Sequence, residues 1–501
     1  TPSVSEWLAS ELSTYERAVV GLDGNVNSFA EVAALEQELA TKGNITVRTD
    51  ADPMAELWTD RPVIPDNMVN LHPLEYSGES TSSKVSRIRK HLLDCGADGL
   101  LVTALDEIAW VLNLRGSDVH CNPVFVSYLL IFPENITLYI NNVKLPDDVK
   151  AYLMSEHIDI QAYESVVEGL RLYAGNSLLV DMSSTNYSLA TAVPFKKVCS
   201  GVSPIASMKA VKNKVEQDGF RAAMLRDGVA VVKFLAWLKS AVEAGGQTEI
   251  SLDDRLTALR AEQPKFKGIS FDTIVGYEAH GAVVHYEATP ETDIPVQPHG
   301  LVLIDSGAQY LDGTTDITRT IALGELSEEQ RRVYTLVLKG HIQLDRCRFP
   351  AGACGSQIDA LARAPMWREG YNYMHGTGHG VGSYLNVHEG PHQIRMEWRP
   401  APLQAGMTVT NEPGIYLEGK FGVRIENTLL IVPAESTAFG DFLKFETLTL
   451  APIDTAPIVL EMLSTEEREW LNNYHRRVYE SLSPYLEGNE KEWLRKATLP
   501  I

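Results

Sequence analysis

Two aspartates stand where a folded chain tolerates a lone charge least. Asp305 lies in Leu301-Val-Leu-Ile-Asp-Ser306, and Asp316 in Thr314-Thr-Asp-Ile-Thr-Arg-Thr320. Both runs read as strand, where a carboxylate is costly unless it is paired or bound to a cation. Asp312-Gly313 between them signals a hairpin turn. A two-residue turn there would set Asp316 opposite Gln309, too far from Asp305. If both aspartates serve one cation cluster, the turn must be wider and centred near Tyr310-Leu311. Taken alone, such aspartates also suit turns and caps.

Three further segments narrow the reading. Met374-His-Gly-Thr-Gly-His-Gly-Val-Gly382 carries His375 and His379 four apart, yet its glycines reject a helix. Glycine at that density lets backbone approach a ligand closely. His388-Glu-Gly-Pro391 follows. Then Thr408-Val-Thr-Asn-Glu412 and Gly422-Val-Arg-Ile-Glu426 each place a glutamate in an apolar or β-branched strand. Two Asp, two Glu and one or more His make a mostly hard-oxygen donor set. It suits Mn²⁺, Co²⁺, Fe²⁺ or Zn²⁺, and its charge suffices for two divalent ions. Two such ions about 3.5–4 Å apart can activate water and polarise a carbonyl.

Around these segments the chain divides into three blocks. Residues 1–75 read helix, strand, helix, with a strand over Arg17–Asp23 and a helix over Ser28–Lys42. Residues 76–205 alternate strands and helices, with a hairpin of Val124–Phe132 and Ile136–Ile140; this is an α/β layer. Residues 206–501 open on a long amphipathic helix, Lys214–Val242, and hold every chemically suggestive residue between His285 and Glu426. A weak repeat links the first two blocks. Val19–Asp23 precedes Phe29 as Leu178–Asp181 precedes Tyr187, an offset of 158 counted from Asp23 to Asp181. On that offset the first block corresponds to the back part of the second, and its front is expected to be missing.

Composition excludes several roles. Sixty-six acidic against 44 basic residues give a net charge of −22, the wrong sign for a nucleic-acid or anionic-membrane surface. The longest apolar run, Pro123–Pro133, is about half the roughly 20 residues of a membrane span. Five well-separated cysteines suit reduced thiols in a reducing compartment.

The ordered set Asp-x10-Asp, His-Gly-Thr-Gly-His-Gly, Asn-Glu-Pro-Gly and Arg-Ile-Glu-Asn resembles the pita-bread metallopeptidases. With Thr103–Asp118, Leu385–Pro391 and Trp470–His475 it is most similar to the cytosolic three-domain Xaa-Pro aminopeptidases. The resemblance implies an α+β catalytic domain of pita-bread fold, preceded by α/β creatinase-N-like domains, the first present only as its C-terminal part. It implies metal ligands Asp305, Asp316, His379, Glu412 and Glu426. His285 and His388 would lie near the scissile bond, with Glu412 as proton shuttle. His375 would line the proline pocket, and Arg424 would contact substrate or orient carboxylates. The implied cofactor is two divalent ions, Mn²⁺ first, with Co²⁺ or Zn²⁺ as alternatives. The implied enzyme is a cytoplasmic homodimer acting on Xaa-Pro peptides (EC 3.4.11.9), with a prolidase as the alternative and no nucleic-acid or membrane partner.

Overall fold

The computed structural model describes residues 2–501, which form two compact units. The first comprises residues up to His72, Glu79–Val119 and Val124–Ala206. Its centre is a mixed six-stranded sheet in the order Val198–Ser200, Leu178–Val180, Gly99–Val102, Tyr128–Ile131, Ile136–Tyr139, Ile158–Gln161. The apolar run at 124–131 is split: residues 124–127 are not strand, while Tyr128–Ile131 pairs antiparallel with Ile136–Tyr139. A separate parallel pair, Ala18–Gly21 with Ile45–Arg48, is joined by the helix Phe29–Lys42. A side-chain cap at Ser28, answered by Glu31, starts that helix.

The repeat has a physical counterpart inside this unit. Phe29 N–H donates to Thr185 O at 3.0 Å, and Tyr187 N–H donates to Asn27 O at 2.9 Å. Ala30 N–H to Met182 O (2.9 Å) is mirrored by Ser188 N–H to Gly24 O (3.0 Å). Each pair is related by the offset of 158. The Phe29 and Tyr187 rings stack between them with centroids 5.6 Å apart. Two equivalent β-α corners thus meet across a local pseudo-two-fold axis.

The second unit comprises Ser207–Ile501 with Pro73–Gly78 and His120–Pro123. Its long helix, Lys214–Ala244, starts at a reciprocal Asn213–Glu216 cap and runs two residues beyond the expected end. A three-stranded antiparallel sheet joins Ile274–Tyr277, Leu301–Ser306 and Ile317–Ala322. A four-stranded sheet runs Arg348–Pro350, Gly440–Thr447, Asn427–Thr437, Thr408–Asn411. The helix Glu328–Asp345 presents Val333, Val337, Leu338 and Ile342 to a large core that also takes Val423, Ile425, Leu471 and Val478. Among the described residues no helix is long and apolar enough to cross a membrane.

The hairpin carrying the two aspartates differs from both sequence alternatives. Tyr310 pairs with Gly313, so the turn residues are Leu311 and Asp312. The same count pairs Asp305 with Thr318 and Ser306 with Ile317. Asp316 therefore stands one step past the last pair, across from Gly307 rather than from Gln309 or Asp305. It lies two residues from Thr318, on the same face as Asp305 and diagonal to it. That is a separation of about 7–8 Å between Cα atoms, which carboxylates can span toward shared ions. Gly313 is not one of the two central turn residues. A Cβ there would come within 3.1 Å of the Ala223 side chain, so it serves close packing against the long helix. Asp312 is buried and ion-paired to Arg226 and Lys265.

Candidate metal centre

Five segments converge on one cavity of about 250 Å³. Asp305 comes from the strand Leu301–Ser306, and Asp316 from the start of the strand Ile317–Ala322. His379 sits in the short strand Gly378–Gly380. Glu412 follows Thr408–Asn411, and Glu426 lies between Phe421–Arg424 and Asn427–Thr437. His285, His375, His388 and Arg424 line the same cavity, so all nine residues expected from the sequence are brought together. The glycines of the histidine segment have a steric reason. A Cβ at Gly378 would meet Thr410 O at 1.9 Å, and one at Gly380 would meet Glu389 O at 2.4 Å. Only glycine lets the His379 strand lie that close to its neighbours.

The donor geometry is that of a site built for cations. His379 Nδ1 donates to Gly380 O at 2.9 Å. A carbonyl only accepts, so Nδ1 carries the ring proton and Nε2 presents a lone pair. That lone pair faces two further acceptors, Asp316 Oδ2 and Glu412 Oε1, each at 3.5 Å. Donor atoms of Asp316, His379 and Glu426 all lie within 4.8 Å of one another. Asp305 Oδ1 and Glu426 Oε1 are buried without a hydrogen-bond partner. Converging lone pairs and orphaned buried oxygens are unfavourable in a bare protein, and a bound cation satisfies both.

The charges say the same. The Asp316 carboxyl is held well above the usual range by burial, then by Asp305 and Glu412. Glu426 is raised by burial, then by Asp316, Asp305 and Glu412. Glu412 is pushed up to about 8, by burial first, with Arg424 opposing and Asp305 adding. Burial also presses His375 and His379 down to about 3 and lowers His388, so the imidazoles are neutral ligands or donors at neutral pH. Four carboxylates and neutral imidazoles balance two divalent ions, and the set fits them.

Arg424 is buried beside the cluster. It donates to Asp305 Oδ2 from Nη2 at 2.7 Å and from Nε at 3.2 Å, and to Tyr416 Oη from Nη1 at 2.7 Å. His375 Nδ1 donates to Gly376 O at 2.7 Å, so its Nε2 accepts from Tyr416 Oη at 2.8 Å. A directed chain of hydrogen bonds therefore runs from Arg424 through Tyr416 to His375.

Several supporting residues escaped the sequence reading. Buried His341, on the helix Glu328–Asp345, donates from Nδ1 to Asn411 O at 3.1 Å and accepts at Nε2 from Asn427 Nδ2 at 3.0 Å. It bridges the residue before Glu412 to the residue after Glu426. Arg319 donates to Glu426 O at 2.6 Å, to Asn427 Oδ1 at 2.8 Å and to Tyr474 Oη at 3.0 Å. Glu389, next to His388, is buried between Lys209 and Lys212. No local pattern marks a helical histidine as a brace for two strands. His341→Ala is expected to lower metal affinity and kcat by roughly 10–100-fold, the range for groups that orient ligands, while the protein stays folded. Metal titration of the purified variant checks this; unchanged affinity would leave His341 a packing residue.

Known proteins bear on this geometry. The profile of metallopeptidase family M24 matches residues 218–433, that of the Creatinase/Prolidase N-terminal domain residues 60–216, and that of the C-terminal region of M24 peptidases residues 441–501. Aminopeptidase P1 of Arabidopsis thaliana is 39% identical over 100% of this chain and 85% of its own length. The X-prolyl aminopeptidase of Caenorhabditis elegans, described as a cytosolic enzyme with a di-nuclear active site, superimposes with a TM-score of 0.94 at 35% identity. That match covers 100% of this chain and 83% of the other. The Xaa-Pro dipeptidase of Bacillus anthracis matches at a TM-score of 0.62 and 25% identity, over 75% of this chain and 99% of that one. With a pita-bread catalytic unit, a creatinase-like N-terminal region and similarity along its whole length, the chain belongs to metallopeptidase family M24 and, within it, to the Xaa-Pro aminopeptidases.

Proposed function

We propose that this hydrolase removes the first residue from peptides with proline in second place, with Asp305, Asp316, His379, Glu412 and Glu426 holding two divalent ions. The observation that carries the ligand set is the facing of His379 Nε2 by two carboxylates at 3.5 Å, beside two orphaned buried oxygens. When bound, the ions supply a Lewis acid for the scissile carbonyl and make the attacking water more acidic. Glu412 takes the proton from that water and passes it to the leaving nitrogen. The proline nitrogen is a tertiary amide without N–H, so no residue needs to accept from it. His388, neutral and edge-on to His379 with centroids 4.4 Å apart, donates to the oxygen that gains charge. His285 lines the cleft beside it. His375, held by Tyr416, borders the space for the pyrrolidine ring.

We read the native ion as Mn²⁺, the oligomer as a homodimer and the compartment as cytoplasmic. The five unpaired cysteines support the last reading. The block boundaries at 75/76 and 205/206 belong to the same reading. The prolidase alternative rests on the dipeptidase neighbour and is separable by substrate. Arg-Pro-Pro is expected to be cleaved after Arg, with activity lost on chelation and restored by Mn²⁺. Cleavage of Gly-Pro without Arg-Pro-Pro would assign a prolidase instead.

A further inference from the structure

Away from the carboxylate cavity, one other group of mixed donors converges among the described residues. His120 and Cys121 lie in the short segment 120–123, and Asp272 immediately precedes Thr273 and the strand Ile274–Tyr277. One donor atom from each lies within 4.8 Å of the other two. His120 Nε2 is 2.8 Å from Asp272 Oδ1. The segment is held in place from beneath. Buried Gln309 donates through Nε2 to Cys121 O at 3.1 Å and to Leu385 O at 2.8 Å. Cys121 itself is fixed at φ +59°, a left-handed backbone that a cysteine adopts only when its surroundings hold it there. The His120 and Asp272 side chains are 73% and 54% exposed, so an ion can reach them from solvent.

We propose that His120, Cys121 and Asp272 form a third cation site, distinct from the dinuclear centre, for one divalent ion of the zinc class with solvent as fourth ligand. The donor chemistry selects the ion. A thiolate, an imidazole and a carboxylate bind zinc at about 2.0–2.3 Å in a tetrahedral arrangement, and here one donor atom of each lies within 4.8 Å of the other two. The sulfur favours Zn²⁺ or Co²⁺ over Mn²⁺, opposite to the oxygen-rich cavity. The Cys121 thiol is pushed up to about 11, by burial and then by Asp272, so it holds its proton in the metal-free protein. Forming the sulfur–metal bond releases that proton to solvent. Asp272 directly follows Phe271, which lines the carboxylate cavity. An ion here would therefore tie segment 120–123 to the cavity edge.

Cobalt titration of the metal-stripped full chain tests the proposal, because the carboxylate cavity offers no sulfur. A thiolate-to-cobalt charge-transfer band is expected in the near ultraviolet, with one equivalent bound beyond the dinuclear pair. Cys121→Ser, at a partly exposed loop position, should lose the band and the extra equivalent. Asp272→Asn should weaken both while leaving the other cobalt sites filled. Thermal unfolding of each variant verifies folding. Absence of the band in the unaltered protein, or its persistence in Cys121→Ser, would overturn the assignment, whatever the peptidase activity.

Discussion

Asp305→Ala is expected to abolish metal-dependent hydrolysis, with a loss beyond the roughly 10–100-fold typical of residues that only orient a ligand. Two effects combine. The substitution removes the orphaned Oδ1 of a residue in the proposed ligand set. It also strips Arg424 of its 2.7 Å carboxylate partner and breaks a buried ion pair, at a cost of up to about 3–5 kcal/mol, eased by the nearby Glu412. Asp305→Asn separates the two. The amide has nearly the same volume and still offers Arg424 an acceptor, so folding should survive while metal stoichiometry and turnover fall. Elemental analysis with thermal unfolding checks both variants. Near-normal turnover of Asp305→Ala at saturating Mn²⁺ would remove Asp305 from the ligand set.

The second large effect is on stability. Asp316, Glu412 and Glu426 have folded-state carboxyls above their unfolded values of about 3.9 and 4.3. A raised carboxyl contributes stability that is fully present below its unfolded pKa and lost as pH rises through its folded pKa. For Glu412 that window runs from about pH 4 to about pH 8. The chelated protein is therefore expected to lose thermal stability across this range. Bound ions reverse the sign, because they favour the ionised carboxylates. Saturation at a hundred times Kd adds about 2.7 kcal/mol, and the rise in Tm on adding Mn²⁺ should be larger near pH 8 than near pH 5. Calorimetry with and without chelator, at both pH values, measures it. An equal Tm in all four conditions would mean that the carboxylates hold no ion.

Much of this site was legible because its chemistry contradicts its context. Asp305, Asp316, Glu412 and Glu426 are acids in runs that otherwise bury Val, Ile, Leu and Thr, and the glycines around His379 have no helical use. The hairpin register was not legible. Asp312-Gly313 has turn chemistry, but here the glycine answers packing against Ala223 and the aspartate answers Arg226 and Lys265. Both demands come from residues about 50–90 positions away in sequence. His341 and Arg319 were hidden for the same reason. Each acts through backbone carbonyls and amide side chains of distant strands, and neither leaves a local periodicity. The repeat at 158 was faint as sequence, since it survives in a few positions. Its reciprocal hydrogen bonds use backbone atoms, which constrain side chains little.

The chain of hydrogen bonds from Arg424 through Tyr416 to His375 has a thermodynamic consequence. One end rests on Asp305, a ligand in the proposed set, and the other on His375, which the proposed function places beside the proline ring. Anything that reorients Tyr416 Oη changes both ends at once. On the proposed function, any coupling of ion affinity to substrate affinity through this chain is reciprocal, each altering the other by the same factor. Tyr416→Phe cuts the chain while leaving the ring in place. It is the substitution expected to remove the part of the coupling that runs through Tyr416, leaving the part carried by direct contact of substrate with the ions.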